Sequence, residues 1–197
     1  MKIYDISQEV FSCAIYPGDP VPRKQILSST ASGDLCNLSC YSMCAHNGTH
    51  VDAPFHFLED GATIDQVDLR QFVGDCYVAR HEGDVSATDA VAILVGANGT
   101  PRILISGHVT VTAEAAQAFA DAGILLLGNE GQSVGPLLAP MEVHLILLRR
   151  GIALLEGIVL TDVPEGHYFL SAAPLKLGGC DGAPCRAYLI PSDSFLS

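Results

Sequence analysis

The apolar residues of this chain come in short runs cut by glycine, proline or a charged side chain, and that pattern limits the possible folds more than any other feature. The longest apolar stretch, 143–160, is broken by His144, Arg149, Arg150 and Glu156, so nothing approaches the roughly 18 to 20 uninterrupted apolar residues of a membrane-spanning helix. A mean hydropathy of +0.32 then belongs to a buried core, and 197 residues, 49% of them hydrophobic, suffice to enclose one. No internal repeat, low-complexity tract or polar linker divides the chain, so a soluble single domain over 1–197 is expected.

Charge narrows the partners. Against 22 Asp and Glu stand 10 Lys and Arg, a formal net charge of −12, and the densest basic pair is Arg149-Arg150. Phosphate backbones are held by clustered cations, which argues against nucleic acid and for a small neutral or metal-bridged ligand. No apolar core followed by a small-residue cleavage site opens the chain, and seven cysteines are an odd number in a chain too large to depend on disulfides, so reduced thiols and a cytoplasmic location are expected. Cys36, Cys40 and Cys44 fall at steps of four and fit either a soft-metal site or small buried hydrophobes; without a CxxC pair the second reading is preferred.

Short β-prone stretches at 2–6, 13–16, 24–28 and 38–45 are separated by turns such as Pro17-Gly18-Asp19-Pro20. Residues 75–81, 102–106 and 124–127 read as buried strands, being apolar runs bounded by Gly or Pro. The alanine-rich segment 113–122 reads as a helix with Thr112 as N-cap and Gly123 as stop. A second helix is predicted from 135 to about 150, with strands at 153–155, 168–172 and 185–190. The fold class is α/β or α+β, a mixed β-sheet with flanking helices.

Chemistry concentrates in His46-Asn47-Gly48-Thr49-His50-Val51-Asp52-Ala53-Pro54-Phe55-His56-Phe57, which holds three of the seven histidines. Gly48 and Pro54 oppose a helix, and in an extended chain positions 46, 50, 52 and 56 would share one face. Imidazole and carboxylate ligands suit zinc, manganese, cobalt or ferrous iron better than calcium. His144 and Glu156 are the candidate closing ligands, because each interrupts very apolar sequence where an unpaired charge is costly to bury. For Glu156 an exposed strand end or a salt bridge to Arg149 or Arg150 is the competing reading. His81, His108 and His167 lack such companions and read as structural or exposed.

These motifs resemble those of the cyclase-like metal hydrolases, the family that includes bacterial kynurenine formamidase and isatin hydrolase. The hallmark His-x-Gly-Thr-His-x-Asp-x-Pro-x-His-Phe is met from His46 to Phe57, and later patterns recur in Glu156-Gly-Ile-Val-Leu, Pro164-Glu-Gly-His-Tyr and Pro174-Leu-Lys-Leu-Gly-Gly-Cys-Asp-Gly-Ala-Pro-Cys-Arg. The resemblance implies a swivelling β/β/α domain that assembles as a homodimer or homotetramer. It implies one or two divalent ions, zinc first and manganese second, held by His46, His50, Asp52, His144 and Glu156, with Asp52 bridging. It implies His56 as catalytic acid and base, and hydrolysis of a small aromatic amide, N-formylkynurenine foremost, with an isatin-like lactam, a lactone or a cyclisation as alternatives. Kynurenine formamidases of this group resemble one another in carrying Trp-Pro-Gly-Asp near the start; here Tyr16-Pro17-Gly18-Asp19 stands there and the chain has no tryptophan, so Tyr16 is the expected substrate-stacking residue. In the Gly128–Gly135 loop, Glu130 and Gly135 stand where the family usually carries aspartates.

Overall fold

The structure, a computed structural model, describes residues 1–195. In chain order the strands are β1 (Tyr4–Asp5), β2 (Arg23–Ser28), β3 (Leu38–Ser42), β4 (His50–Asp52), β5 (Val73–Arg80), β6 (Gly83–Val85), β7 (Arg102–Ser106), β8 (Val109–Val111), β9 (Leu126–Asn129), β10 (Ala153–Glu156), β11 (Gly166–Ser171), β12 (Gly182–Pro184) and β13 (Tyr188–Pro191). The helices are α1 (Ala87–Ala97), α2 (Ala113–Ala122) and α3 (Met141–Leu148). None is long and apolar enough to cross a membrane.

One helix lies between each consecutive pair of β5, β7, β9 and β10, and a crossover of that kind brings the next strand back parallel. These four therefore form the parallel centre of a nine-stranded sheet of order β1-β13-β11-β5-β7-β9-β10-β4-β12, with antiparallel strands added on both flanks. Both faces of the centre are buried, so its strands are apolar throughout and successive residues serve opposite layers. Ile103, Ile105, Leu127 and Leu154 pack under the helices with Phe119 and Leu147. Leu104, Leu126, Ala153 and Leu155 face the other way, against Ile6, Phe72, Tyr168 and Leu189 from the curled flank.

Local chemistry starts and stops the helices. Thr112 Oγ1 accepts from Ala115 N and Gly123 ends α2 in the left-handed region, as its sequence implies. Helix α1 is an element the sequence pattern does not predict: Ser86 and Asp89 form a reciprocal capping box and Asn98 closes the helix at φ 48°. The predicted helix at 135–150 shrinks to α3, because Ala139 precedes Pro140 and the residue before proline avoids helical ψ. Residues 13–16 form no strand; Ser12 and Cys13 amides turn back onto the Glu9 carbonyl instead. The predicted strand at 124–127 starts at Leu126, because the Leu125 amide is drawn to the Pro101 carbonyl. Cys36 and Cys40 are exposed near and on β3, contrary to the buried reading, and all seven cysteines are free.

Arg102 is only 5% exposed and makes no ion pair within 4 Å among the described residues. Its guanidinium donates to the carbonyls of Arg70, Gln71 and Asp75, tying the turn before β5 to β7. The turn after β10 is equally tight. Gly157 has φ +65°, and a Cβ there would lie 2.4 Å from the Gly48 carbonyl oxygen. Thr49 Oγ1 and Gln8 Nε2 both donate to the Gly157 carbonyl, at 2.6 and 2.8 Å, so three remote segments are pinned beside Glu156. Gly157→Ala is expected to destabilise the fold by at least about 2 kcal/mol, a Tm loss of roughly 4 to 8 °C in a thermal melt, since it meets both a left-handed backbone and a backbone clash.

Candidate metal centre

Strand pairing builds the site. In the antiparallel β4–β10 register, Glu156 stands opposite His50 and Leu154 opposite Asp52. Because alternate residues share a face, His50, Asp52 and Glu156 all point with Leu154 toward the helical layer, where α3 presents His144. His50, Asp52, His144 and Glu156 are at most 3% exposed. His46 lies in the turn before β4 and His56 at the end of the short 3-10 turn Pro54–His56 after it. Positions 46, 50, 52 and 56 thus converge, though not on one extended face: only His50 and Asp52 share the strand.

Backbone carbonyls orient the two deepest imidazoles. His50 Nδ1 donates to Gly48 O at 2.9 Å and His144 Nδ1 donates to Pro140 O at 2.8 Å. Each Nε2 therefore faces the carboxylates: His50 Nε2 is 3.4 Å from Asp52 Oδ1 and 3.5 Å from Glu156 Oε2, and His144 Nε2 is 3.5 Å from Asp52 Oδ2 and 3.3 Å from Glu156 Oε1. These approaches are at ion-pair distance without hydrogen-bond geometry at two of the atoms, since His50 Nε2 and Asp52 Oδ2 are buried with no hydrogen-bond partner.

Buried carboxylates demand positive charge. Burial pushes the His50 and His144 imidazoles down, but Asp52 and Glu156 outweigh it and raise each to about 10. Burial raises the Asp52 carboxyl, and the nearby imidazoles of His144, His46 and His50 overcome that and hold it well below the carboxylate range. Burial and repulsion from Asp52 raise Glu156, while His144 and His50 bring it down. Protons on imidazoles meet this demand in part; a divalent cation meets it without leaving orphaned atoms. Donor atoms about 2.0 to 2.2 Å from a tetrahedral zinc lie roughly 3.3 to 3.6 Å apart, which matches the observed separations. The Nδ1-to-carbonyl bonds are also the usual outer support of imidazole ligands. The residues fit a divalent metal.

His46 and His56 form the outer part. Their rings stack at 4.0 Å between centroids. His46 Nδ1 lies 2.9 Å from Asp52 Oδ1 and its Nε2 2.9 Å from Asp181 Oδ2, while His56 Nδ1 lies 3.4 Å from the same Asp181 oxygen. Two groups have metal-ligand spacing among the described residues, His46 with Asp52 and His56, and His50 with Asp52 and Glu156; Asp52 is common to both. The cluster floors a cavity of about 220 Å³ walled by Tyr16, Asp19, Phe57, Gln132, Ser133 and Pro140.

All the expected residues, His46, His50, Asp52, His56, His144 and Glu156, come together at one cavity, and Tyr16 stands on its wall. Tyr16 lines the cavity, and its hydroxyl donates to Leu137 O at 2.5 Å. The competing reading for Glu156 fails, because the side chain is buried and Arg150 pairs with Asp121. Asp181 was missed. It sits inside the Gly-Gly-Cys-Asp-Gly motif, but an aspartate among glycines reads as a turn, and only the tertiary contacts reveal its partners.

The family model described as "Putative cyclase" matches residues 4–93. The kynurenine formamidase of Salinibacter ruber is 35% identical, over 96% of this chain and 97% of the relative. That of Paracidovorax citrulli is 33% identical, over 95% of each. Among solved structures, a potential metal-dependent hydrolase with cyclase activity superposes with a TM-score of 0.83 at 29% identity, covering 95% of this chain and 96% of that one. Isatin hydrolase A from Labrenzia aggregata superposes with a TM-score of 0.83 at 20% identity, covering 97% and 94%, a likeness of fold.

A ligand that binds only the native state stabilises it by about 2.7 kcal/mol at one hundred times its dissociation constant. Saturating zinc or manganese is therefore expected to raise the melting temperature of chelator-treated protein by roughly 5 to 10 °C. Asp52→Asn and Glu156→Gln, measured in the same melt, are expected to lose that rise.

Proposed function

The chain belongs to the cyclase-like metal-dependent hydrolase family, and from that premise we propose that it hydrolyses an aromatic formamide, N-formylkynurenine first, to the free arylamine and formate. The observation that carries this reading is the buried His50, Asp52, His144 and Glu156 cluster at the floor of a cavity whose walls include Tyr16, Phe57 and Pro140. Likeness to kynurenine formamidases over nearly the whole chain supports the substrate.

In this reading His46, His50, Asp52, His144 and Glu156 would together hold one or two divalent ions. Zinc suits the ligand set best, with manganese second. A cation held there supplies Lewis acidity, bringing the ionisation of water near neutral pH and polarising an amide carbonyl. His56 moves the proton. Burial, against the opposing pull of Asp52, holds its imidazole below the ordinary histidine value, which favours the neutral ring that can take a proton from water. The same ring then returns the proton to the departing anilino nitrogen. Phe57 and Pro140 keep that end of the cavity apolar, and Tyr16 offers its ring to the aryl group while its hydroxyl, bound to Leu137 O, fixes the orientation.

Metal-replete protein is expected to release kynurenine from N-formylkynurenine in an absorbance assay, to stop on chelation and to recover with zinc or manganese. His56→Ala is expected to keep its metal and lose about 10²- to 10⁴-fold in turnover. Isatin run in parallel reads the lactam alternative: turnover of isatin alone moves the substrate, and loss of metal in His56→Ala overturns the role given to His56.

An assembly is supported by β2 and β3, which among the described residues pair only with each other. Ile26, Leu27, Leu38 and Tyr41 on this ribbon are between 51 and 66% exposed, and a two-stranded ribbon is marginal on its own. A second copy covering it would bury these residues, so a homodimer or homotetramer is the expected state. Sedimentation should return two or four times the 20.8 kDa chain mass; a 20.8 kDa species at micromolar concentration rules the assembly out.

A further inference from the structure

Among the described residues, Asp181 is the one acidic side chain that touches both outer histidines and belongs to neither group of metal-ligand spacing. Its place is set by the backbone. β12 adds to β4 with Gly182 opposite Asp52, and Ala53 N donates to Asp181 O at 2.9 Å, so the Asp181 carboxylate emerges one residue from the strand pair that carries Asp52. Gly182 completes the support, because a Cβ there would lie 2.8 Å from Cε1 of His46. The imidazole lies close against the Gly182 backbone, with a carboxylate at each nitrogen.

We propose that Asp181 and Gly182 form a cradle that fixes the tautomer and ring plane of His46. Asp181 Oδ2 accepts the Nε2 proton, so Nδ1 is the nitrogen that presents its lone pair on the Asp52 side. Without this acceptor the ring is free to carry its proton on Nδ1, which removes the lone pair from the centre. The same oxygen reaches His56 Nδ1 and holds that ring in its stack on His46. Asp181 is thus a positioning residue, acting through His46 and His56 without reaching the cavity floor. The inference rests on the metal reading of the cluster.

Two readouts test it. The first is Co²⁺ affinity from the visible absorption of the bound ion, with the folded state of each variant checked by circular dichroism. Outer carboxylates that orient imidazole ligands are worth 10- to 100-fold in metal affinity, so Asp181→Ala is expected to bind Co²⁺ at least tenfold more weakly than wild type. Asp181→Asn, whose amide oxygen still accepts, should fall between the two and serves also if Asp181→Ala fails to fold. The second readout is the ¹⁵N NMR spectrum of the histidine rings in zinc-loaded protein, expected to show His46 protonated at Nε2 in wild type and not held to that form in Asp181→Ala. Wild-type Co²⁺ affinity in a folded Asp181→Ala, or a His46 ring protonated at Nδ1 in wild type, overturns the cradle alone. Failure of wild type to take up Co²⁺ overturns the metal reading and the cradle with it.

Discussion

Two carboxylates, Asp52 and Glu156, lie side by side at the edge of a largely apolar layer, and the need to neutralise them organises the structure around them. Each oxygen left without a partner in such a layer costs on the order of 1 to 3 kcal/mol, more when charged. The fold meets this with strand pairing that puts Glu156 opposite His50, with a helix that delivers His144, and with backbone carbonyls that turn both Nε2 atoms inward. None of these devices improves the hydrophobic core. They make sense as a frame for positive charge, which is why the arrangement points to chemistry more directly than any single histidine does.

The centre also lies where an open parallel sheet places such features, outside the carboxyl ends of its strands. Glu156 is the last residue of β10, and Gln132 and Ser133 follow the end of β9. The family character is carried by what is added to that sheet: antiparallel β4 and β12 extend it past β10 and bring the His46–His56 segment and Asp181 alongside. Parallel strands supply one carboxylate and the rigid floor; helix α3 supplies His144 and the antiparallel edge the other donors.

Much of this was legible in the sequence because it depends on local pattern. The buried strands at 75–81 and 102–106, the α2 helix with its Thr112 cap, and the ligand-type residues from His46 to His56 could all be read without knowledge of contacts. What escaped depends on tertiary geometry or on a weak local cue. The Ser86-Asp89 box has aspartate where glutamate is the stronger signature, so α1 was passed over. His46 and His56 converge with His50 and Asp52 by a route that strand alternation does not describe, since they sit in turns whose direction is set by bonds to Gly157, Val10 and Ala53. Asp181 could not be found because its partners are 125 and 135 residues away.

The division of labour between sheet and loops has an evolutionary consequence. The donors nearest the floor come from β4, β10 and α3, whereas Tyr16, Asp19, Gln132 and Ser133 come from connections whose sequence is not tied to the strand register. Substitutions or length changes in those two loops can reshape what enters the cavity while the ion-binding frame stays intact. Such a molecule can drift from one carbonyl compound to another by altering its walls alone, so specificity in this architecture is open to change while the reactive centre is held fixed by its own need for neutrality.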